Sequence, residues 1–370
     1  MTVAVYGATG FTGRLVLEQL RRRSIPTRAV GRDTGRLRAL ETEWTRAGGT
    51  APPLEVRTAD AGNPSRVRAA LEGVDVVIAC AGPFTEVGDA AVEAALSVGA
   101  HYLDSTGEQA FVRRTRSIAD ERARDRGLAV VNAMAFEVAP SDMAASLLAR
   151  DFGPLDDLRI AYCISGGGTS RGTRQSMLRA AETPWGWREG RWVTERLGTH
   201  AGQVRFPSPP GLRSCISIPG AELITIPGHV DTKRCVCLMA VPAPLSIATR
   251  TAGGLVAPVL RSPVGRWLRT GAARGSAGPG DEERKRARFT ILVEAFAGTR
   301  FRQAVLRGVD PYGLTAVILA HAAEGLSTGR DSGKRGVLAP AEIFEPRAFL
   351  ENLRVAGLTL QLCEGQVGAQ

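Results

Sequence analysis

Three glycines near the amino terminus have a spacing that suits the binding of a phosphate group. Gly7, Gly10 and Gly13 lie in the run VYGATGFTGR, after a short apolar segment and at the start of a helical pattern. Glycines allow a sharp turn, a close approach of the backbone to a pyrophosphate, and tight packing of helix on strand. Backbone amides at the helix start then face the negative oxygens. The spacing predicts a dinucleotide-binding loop formed by Gly7, Ala8, Thr9, Gly10, Phe11, Thr12 and Gly13.

The residue after the second predicted strand indicates which dinucleotide binds. Many NAD-binding chains carry an acidic residue there, whereas this chain has Arg32. A guanidinium can hold a 2′-phosphate through two hydrogen bonds, and Arg36 and Arg38 could assist. Asp33 could instead face the ribose, and a solvated surface arginine is the other alternative. We expect NADP(H), with Arg32 at the 2′-phosphate.

Two further strand ends are expected to line the same crevice, because ligands bind beyond the carboxyl ends of parallel strands. Asp60 and Ala61 follow the third predicted strand and suit the adenine edge. The loop after the fourth strand is expected beside the ribose and nicotinamide, through Ala81, Gly82, Pro83 and Phe84.

Chemical groups for catalysis are concentrated in the segment HYLDSTGE, at the end of the fifth predicted strand. Tyr102 could donate a proton, and Asp104 or Glu108 could bind an amine or anchor a loop. The alternative is that Asp104 and Glu108 only cap the helix that begins near Ala110. Weaker candidates lie further along the chain, with Ser141 expected to cap a helix: Glu137, Ser141, Asp142, Tyr162, Arg171, Arg174 and Tyr312.

The elements that must position these residues alternate between strand and helix over residues 1–135. Continuous apolar runs such as VDVVIA and LAVVN are typical of strands buried on both faces. Strands separated by helices predict a parallel, doubly wound sheet, which is a Rossmann domain. The regular alternation of strand and helix ends near residue 139. Residues 136–344 are therefore predicted to be an α+β domain on a mixed sheet. Residues 345–370 are expected to pack back on the Rossmann domain.

A basic segment interrupts the second domain at residues 249–288. Pro258 and Pro263 exclude one long helix there, and Gly275–Gly280 is predicted to be a flexible loop. Within residues 254–270, large apolar residues alternate with arginines. This pattern is compatible with a substrate lid, with peripheral contact to an anionic membrane, or with an ordinary packed hairpin.

Composition excludes several classes of protein. The net charge of +10 would suit a nucleic-acid binder. However, the chain has only three lysines beside 44 arginines, which points to codon usage, and 5% aromatic residues is low for base stacking. No run of eighteen apolar residues, signal peptide or metal-binding spacing is found, and six scattered cysteines predict a reduced, cytoplasmic chain. We expect no nucleic acid and no metal, and a substrate that an acidic carrier protein or coenzyme A presents.

Several motifs together resemble the saccharopine dehydrogenase-like oxidoreductases, and within them the trans-acting enoyl reductase branch. The motifs are GATGFTGRLV, the pair Gly31-Arg32, AGPFTEVGDAAVEAALSVGAHYLDSTGE and GVLAPAEIF. The resemblance is dense over residues 3–142, recurs at Val309–Leu319 and Gly336–Phe344, and is weak in the middle third. Relatives often carry an aspartate-serine pair where this chain has residues 136–139, so an inherited substrate contact there is in doubt.

The resemblance implies a Rossmann domain followed by an α+β domain, NADP-dependent hydride transfer to a small molecule, and a homodimer. Members reduce either a C=C bond of a lipid or polyketide precursor or a C=N bond that joins an amine to an aldehyde. The fold therefore does not decide the reaction. A non-catalytic NADP(H)-binding sensor is the alternative from another class.

Overall fold

A computed structural model describes residues 1–182, 184–273 and 277–366. The chain forms two compact units, and each is assembled from separate stretches of sequence. Unit 1 contains Met1–Thr106, Phe111–Phe136 and Tyr312–Phe344. Unit 2 contains Gly107–Ala110, Glu137–Pro311 and the segment that begins at Glu345.

Strands and helices alternate through the first part of the chain, as predicted. They are β1 (Val3–Tyr6), α1 (Phe11–Arg22), β2 (Thr27–Gly31), α2 (Thr34–Arg46), β3 (Glu55–Thr58), α3 (Pro64–Leu71), β4 (Val76–Ala79), α4 (Phe84–Val98), β5 (His101–Asp104), α5 (Gln109–Asp125) and β6 (Ala129–Val131). Local signals set several helix starts. The Asp33 side chain accepts from the Arg36 amide to cap α2, and Asn63 caps α3 in the same way with Pro64 at the first helical position.

Short strands and short helices make up most of the next part of the chain. They are α6 (Val138–Ala149), β7 (Asp157–Ser165), α7 (Arg171–Ala180), β8 (Trp185–Arg188), β9 (Arg191–Thr194), β10 (Ala201–Arg205), β11 (Leu212–Ser217), α8 (Glu222–Thr225), β12 (Arg234–Ala240), α9 (Ala243–Ala252), α10 (Val256–Arg261), α11 (Pro263–Ala273), α12 (Asp281–Arg286), β13 (Arg288–Ala297) and β14 (Arg300–Val309). The last elements are α13 (Pro311–Ser327), β15 (Gly336–Leu338), α14 (Pro340–Ile343), α15 (Pro346–Asn352) and β16 (Thr359–Gln366).

Within the described ranges, unit 1 is built on a parallel sheet with the order β3-β2-β1-β4-β5-β6-β15. Strands β1 and β4 are buried along their whole length, as expected for a sheet covered on both faces. Unit 2 is built on a mixed sheet with the order β10-β11-β12-β7-β13-β14-β16, and the hairpin of β8 and β9 joins it at β12. The predicted fold class, a Rossmann domain with a second α+β domain on a mixed sheet, is confirmed.

The last third of the chain divides differently from the prediction. Residues 312–344, predicted within the second domain, belong to unit 1, where β15 pairs in parallel with β6. The segment from residue 345, predicted to pack on the Rossmann domain, instead pairs β16 with β14 in unit 2. Neither strand has a clear signal in the sequence, because β15 has only three residues and β16 is mostly exposed. Their assignment depends on the strands with which they pair, β6 and β14.

The basic segment forms α9, α10 and α11 with a 3-10 turn at Gly253–Leu255. As predicted, the prolines prevent one long helix, since α10 ends at Arg261 and α11 begins at Pro263. The predicted loop at Gly275–Gly280 begins outside the described residues. Among the helices that the structure describes, none is both long and apolar enough to cross a bilayer.

The register of β13 and β14 gives a first prediction. Gly308 lies opposite buried Phe289, and a Cβ atom on Gly308 would lie 2.3 Å from the Phe289 ring. We expect Gly308→Val to lower the free energy of unfolding by about 1–3 kcal/mol, since the ring must leave its rotamer or the strands must separate. Urea denaturation followed by circular dichroism measures the change. The matched control is Gly202→Val in β10, where the added atom meets open space. Equal stability of the two variants would contradict this register.

Candidate functional site

The glycine loop after β1 has no room for side chains at two of its positions. Gly7 has φ of +85°, and a Cβ atom there would lie 2.7 Å from the amide nitrogen of Ala81. A Cβ atom on Gly13 would lie 2.4 Å from the carbonyl oxygen of Gly7. Both close contacts are with backbone, which cannot move aside cheaply, so glycine is required at these positions. The same contacts bring the loop after β1 against the loop after β4, which contains Ala81.

This contact lies where the strand order reverses. Strand β1 has β2 on one side and β4 on the other, so the chain leaves β1 and β4 in opposite directions across the sheet. Open parallel sheets bind ligands beyond the carboxyl ends of the strands at such a switch point. Gly10 is the N-cap of α1 and provides no side chain to occupy the first amides of that helix. These features fit a pyrophosphate held by residues 7–13, as the spacing predicts.

At the end of β2, Arg32 and Asp33 are the two alternative contacts for the ribose end of the cofactor, and their side chains have different surroundings. The Asp33 carboxylate accepts a hydrogen bond of 2.9 Å from the Arg36 amide, so one of its oxygens caps α2. The Arg36 guanidinium donates to the Thr9 carbonyl oxygen in the glycine loop at 2.7 Å. Arg32 is exposed directly after the strand. These positions are compatible with the prediction that Arg32 meets a 2′-phosphate.

Tyr6 and Asp60 lie close to Arg32. Burial, together with the Asp60 carboxylate, raises the pKa of Tyr6 to about 12, and the Arg32 charge acts in the opposite direction. Asp60 itself is exposed after β3 and accepts from the Gly62 amide at 2.8 Å. The structure thus brings the ends of β1, β2 and β3 together, as expected for the adenosine side of a dinucleotide site.

One aromatic residue joins the loop from far away in the sequence. The Tyr312 ring, in the first turn of α13, meets the Phe11 ring edge-on at a centroid distance of 5.0 Å. In the same helix, the Thr315 hydroxyl accepts from the Phe136 amide at 3.0 Å. Tyr312, which the sequence predicts in the second domain, belongs instead to unit 1 and packs at the start of α1.

Tyr102 and Asp104 lie inside unit 1. The Tyr102 side chain is fully buried in the hydrophobic core. The Asp104 carboxylate accepts from the amides of Thr106 and Ala133, at 2.9 and 2.8 Å, and from the Asn132 side chain at 2.7 Å. Burial raises the pKa of Asp104 to about 6, while these donors act to lower it. Asp104 therefore holds the loops after β5 and β6 together.

Glu108 belongs to the other unit. Its Oε1 atom accepts from the Ser176 hydroxyl of α7 at 2.6 Å, and its side chain is buried. The next residue, Gln109, bonds to the backbone of Trp185 and Gly220 at 3.0 Å. The predicted catalytic residues are thus divided, with Tyr102 and Asp104 in unit 1 and Glu108 in unit 2.

Unit 2 contains a buried polar network that the sequence analysis did not assemble. The Tyr162 hydroxyl donates to the Glu222 carboxylate and lies 3.2 Å from the Ser141 hydroxyl. The Cys237 thiol lies 3.7 Å from Oε2 of Glu222. Because Ser141 is the fourth residue of α6 and donates back to the Glu137 carbonyl oxygen, its predicted role as the helix cap is wrong.

Two further groups extend this set of buried acids. The His229 ring lies 3.1 Å from the Asp142 carboxylate, which is fully buried. Glu137 is the N-cap residue directly before α6, and its Oε2 atom is buried without a hydrogen-bond partner among the described residues. Burial and the nearby Glu222 carboxylate raise the pKa of Glu137 to about 8, and burial also raises the pKa of Glu222. Glu137 therefore retains its proton near neutral pH.

Glu222 carries the one signal in the sequence that could have revealed this network. It stands between apolar residues in the run AELITI, and its exposed fraction is 1%. A carboxylate inside an apolar run is rarely buried without a partner. The partner, Tyr162, lies 60 residues earlier in β7 and could not be identified from the run itself.

A concavity of about 460 Å³ lies on one face of the mixed sheet in unit 2. Its rim includes Arg159, Arg234 and His200. Both arginines bond to the Asp157 carboxylate, at 2.7 and 3.2 Å, and Arg234 also contacts His200. These cations already have partners, so we assign no ligand to the concavity. In the part of the chain that the structure describes, no three His, Cys, Asp or Glu side chains are grouped as a metal site would require.

Comparisons with known proteins agree with this geometry. A family model described as NAD(P)H-binding matches residues 7–103. A Mycobacterium tuberculosis protein whose name assigns it to the trans-acting enoyl reductases is 30% identical to this chain, over 97% of the chain and 96% of that protein. The chain belongs to the trans-acting enoyl reductase family. A trans-acting enoyl reductase of Mycobacterium bovis is 25% identical over the same shares of both chains.

A solved structure shares the fold over nearly the whole chain. The apo saccharopine dehydrogenase (L-Glu forming) of Saccharomyces cerevisiae superposes with a TM-score of 0.62 at 13% identity, over 98% of this chain and 99% of that one. The resemblance seen in the sequence motifs is therefore confirmed. This member of the trans-acting enoyl reductase family is an oxidoreductase that uses a nicotinamide cofactor.

The raised pKa of Glu137 predicts how stability depends on pH. The folded chain retains a proton there up to about pH 8, whereas the unfolded chain loses it near the ordinary value of 4.5. Stability from this group is present at low pH and is lost as pH rises through that window, with a slope of at most ~1.4 kcal/mol per pH unit. We expect Glu137→Gln to flatten the dependence, measured by urea unfolding at several pH values. Glu351→Gln, at an exposed position of α15, is the control. Parallel curves for the wild type and Glu137→Gln would contradict the assignment.

Proposed function

We propose that this enzyme reduces the carbon–carbon double bond of an enoyl thioester with NADPH. The reaction adds a hydride from the bound cofactor at one alkene carbon and a proton at the other. The observation that carries the proposal is the cradle at the β1 and β4 switch point, where Gly7, Gly13 and Ala81 are in backbone contact. The enoyl substrate is supported by the names of relatives that match the chain over nearly its full length.

NADPH rather than NADH is supported by the positions of the charges at the end of β2. The Asp33 carboxylate, which could bind the ribose hydroxyls of NADH, is engaged as the cap of α2. Exposed Arg32 can form the bidentate pair that a 2′-phosphate favours. Arg36, held at the Thr9 carbonyl, adds a second positive charge close to the same loop.

The substrate is proposed to arrive on a carrier. The word trans-acting in the relatives' names supports a thioester that a separate protein or coenzyme A presents. A net charge of +10 favours such an anionic carrier. The homodimer that the family resemblance implies remains a prediction.

The proton donor is the least constrained part of the proposal. Tyr102, Asp104 and Glu108 remain predicted catalytic residues, although the burial of Tyr102 and the three donors to Asp104 favour positioning roles. Glu137 is a further candidate in unit 2, because its raised pKa leaves it protonated near neutral pH. A general acid must hold its proton at the working pH, which favours testing Glu137 beside the other three.

Arg32→Glu tests the choice of cofactor. The substitution replaces an attraction to the 2′-phosphate with a repulsion, so we expect the Kd for NADPH to rise about 100-fold and the Kd for NADH to change less than about threefold. Isothermal titration calorimetry measures both. Arg46→Glu makes the same charge change in the last turn of α2 and serves as the control. Equal losses for the two cofactors in Arg32→Glu would remove Arg32 from the 2′-phosphate site.

Turnover assays test the reaction itself. Oxidation of NADPH is followed with 2-enoyl thioesters of coenzyme A and of an acyl carrier protein, and separately with a 2-oxo acid plus an amine. We expect turnover only with the enoyl thioesters, and faster turnover when the carrier protein presents them. Turnover with the oxo acid and amine alone would identify an imine reductase, and binding of NADPH without any turnover would favour a sensor.

The same assay separates the candidate donors. Tyr102→Phe, Asp104→Asn, Glu108→Gln and Glu137→Gln are compared for kcat and for its pH profile. A donor variant should lose at least about 100-fold in kcat while its Kd for NADPH stays the same. A positioning variant should lose stability and cofactor affinity together.

A further inference from the structure

The segment that contains α9, α10 and α11 displays large apolar side chains to solvent. Six of them have exposed fractions above 40%, which is unusual for residues of this size on three consecutive helices. They are Leu245 (50%), Ile247 (61%), Leu255 (66%), Val259 (43%), Val264 (56%) and Trp267 (73%). We call the exposed side of these helices the α9–α11 surface.

Helix α9 has the reverse of the usual amphipathic arrangement. Its buried positions are Ser246 and Thr249, and its exposed positions include Leu245 and Ile247. The Ser246 hydroxyl donates to the Cys215 carbonyl oxygen at 3.4 Å, and the Thr249 hydroxyl donates to the Leu245 carbonyl oxygen at 2.8 Å. A surface helix normally turns its apolar side chains to the core. This helix turns them outward, so an apolar partner outside the chain is expected.

Helix α11 adds a continuous apolar face. Val264, Trp267 and Leu268 are spaced three and four residues apart, which places them on one side of the helix. All three are exposed, and Trp267 is the most exposed of them. Tryptophan with aliphatic neighbours is the combination favoured at the boundary between water and lipid.

The segment is docked on unit 2 rather than extended into solvent. Leu260 is buried, and the Arg261 guanidinium donates to the Glu182 carbonyl oxygen. A Cβ atom on Gly253 would lie 2.2 Å from the Leu197 carbonyl oxygen, and one on Gly265 would lie 1.9 Å from that of Leu260. The contacts of Gly253 and Arg261 hold the segment on unit 2, and the approach of Gly265 to Leu260 holds α11 against α10, so the apolar residues form a preformed surface.

Charge indicates the kind of partner. Within the three helices, residues 243–273, the sequence has no acidic residue and four arginines: Arg250, Arg261, Arg266 and Arg269. In a chain with 37 acidic residues, a stretch of this length without any of them is unusual, and its charged side chains are all positive. Exposed apolar side chains among positive charges are complementary to a partner that has an apolar interior and a negatively charged surface.

We propose that the α9–α11 surface docks on an anionic lipid bilayer. Trp267 and the aliphatic side chains enter the boundary between headgroups and acyl chains, and the exposed residues Arg250 and Arg261 contact lipid phosphates. A protein partner is less favoured, because the exposed apolar side chains are spread over three helices and none of them lines the concavity of about 460 Å³ in unit 2. The proposal concerns attachment to a membrane and does not depend on which reaction the enzyme catalyses.

Vesicle sedimentation tests the proposal with the full chain. The probes are vesicles of phosphatidylcholine alone and of equal parts phosphatidylcholine and phosphatidylglycerol. We expect binding to the anionic vesicles, weaker binding at high salt, and little binding to neutral ones. The triple variant L255S/V264S/W267S should bind the anionic vesicles at least about tenfold more weakly. Each exchange removes apolar area that would otherwise be buried in the bilayer.

A matched control and a second readout keep the test independent of folding. Val355→Ser changes another exposed aliphatic residue of unit 2 and should bind like the wild type. Trp267 emission should shift to the blue on anionic vesicles, and this shift should be absent in Trp267→Phe. All variants should keep the wild-type Kd for NADPH.

Three results would overturn the proposal. One is the absence of binding to anionic vesicles, and another is wild-type binding by the triple variant. The third is a blue shift of Trp267 emission with an acidic acyl carrier protein but not with vesicles, which would assign the surface to protein docking.

Discussion

The contact between the loop after β1 and the loop after β4 is the constraint on which the cofactor side of this enzyme depends. Gly7 and Ala81 approach at a distance that admits no side chain, and Gly13 fits under the Gly7 carbonyl in the same way. Parallel register then fixes what surrounds the contact, because β1 lies between β2 and β4. Arg32, Asp60 and Phe84 follow the ends of the strands on either side. A small loss of space at either glycine would therefore displace the loop from all of these groups at once.

Features with local causes could be predicted from the sequence, and features with distant causes could not. Helices α2 and α3 begin where local residues direct, because Asp33 and Asn63 accept from the amides three residues later and Pro64 suits the first helical position. The glycine loop is likewise explained by its own residues. By contrast, Tyr312 meets Phe11 because residues 312–344 return to unit 1, and Tyr162 of β7 meets Glu222 of α8 across 60 residues of sequence. No periodicity in either segment carries that information.

The two units use buried carboxyl groups in different ways. In unit 1, Asp104 receives three donors that favour its charged form and hold two loops together. In unit 2, burial and then the nearby Glu222 carboxylate raise the pKa of Glu137, which favours a neutral carboxyl. Neighbouring donors stabilise charge, whereas neighbouring carboxylates oppose it. A buried acid in this fold is therefore understood from its partners, not from its residue type.

The division of unit 1 has a consequence for synthesis of the chain on the ribosome. Strand β6 is complete at Val131, but its parallel partner β15 is made only when Leu338 has been added. Until then the edge of β6 has unpaired amides and carbonyls, which are prone to pair with other chains. Residues 137–311 must emerge during this interval, so unit 1 begins to fold early but can be completed only after most of unit 2 has been synthesised. Replacing residues 137–311 with a longer or shorter segment from a relative would change the time for which β6 lacks its partner β15.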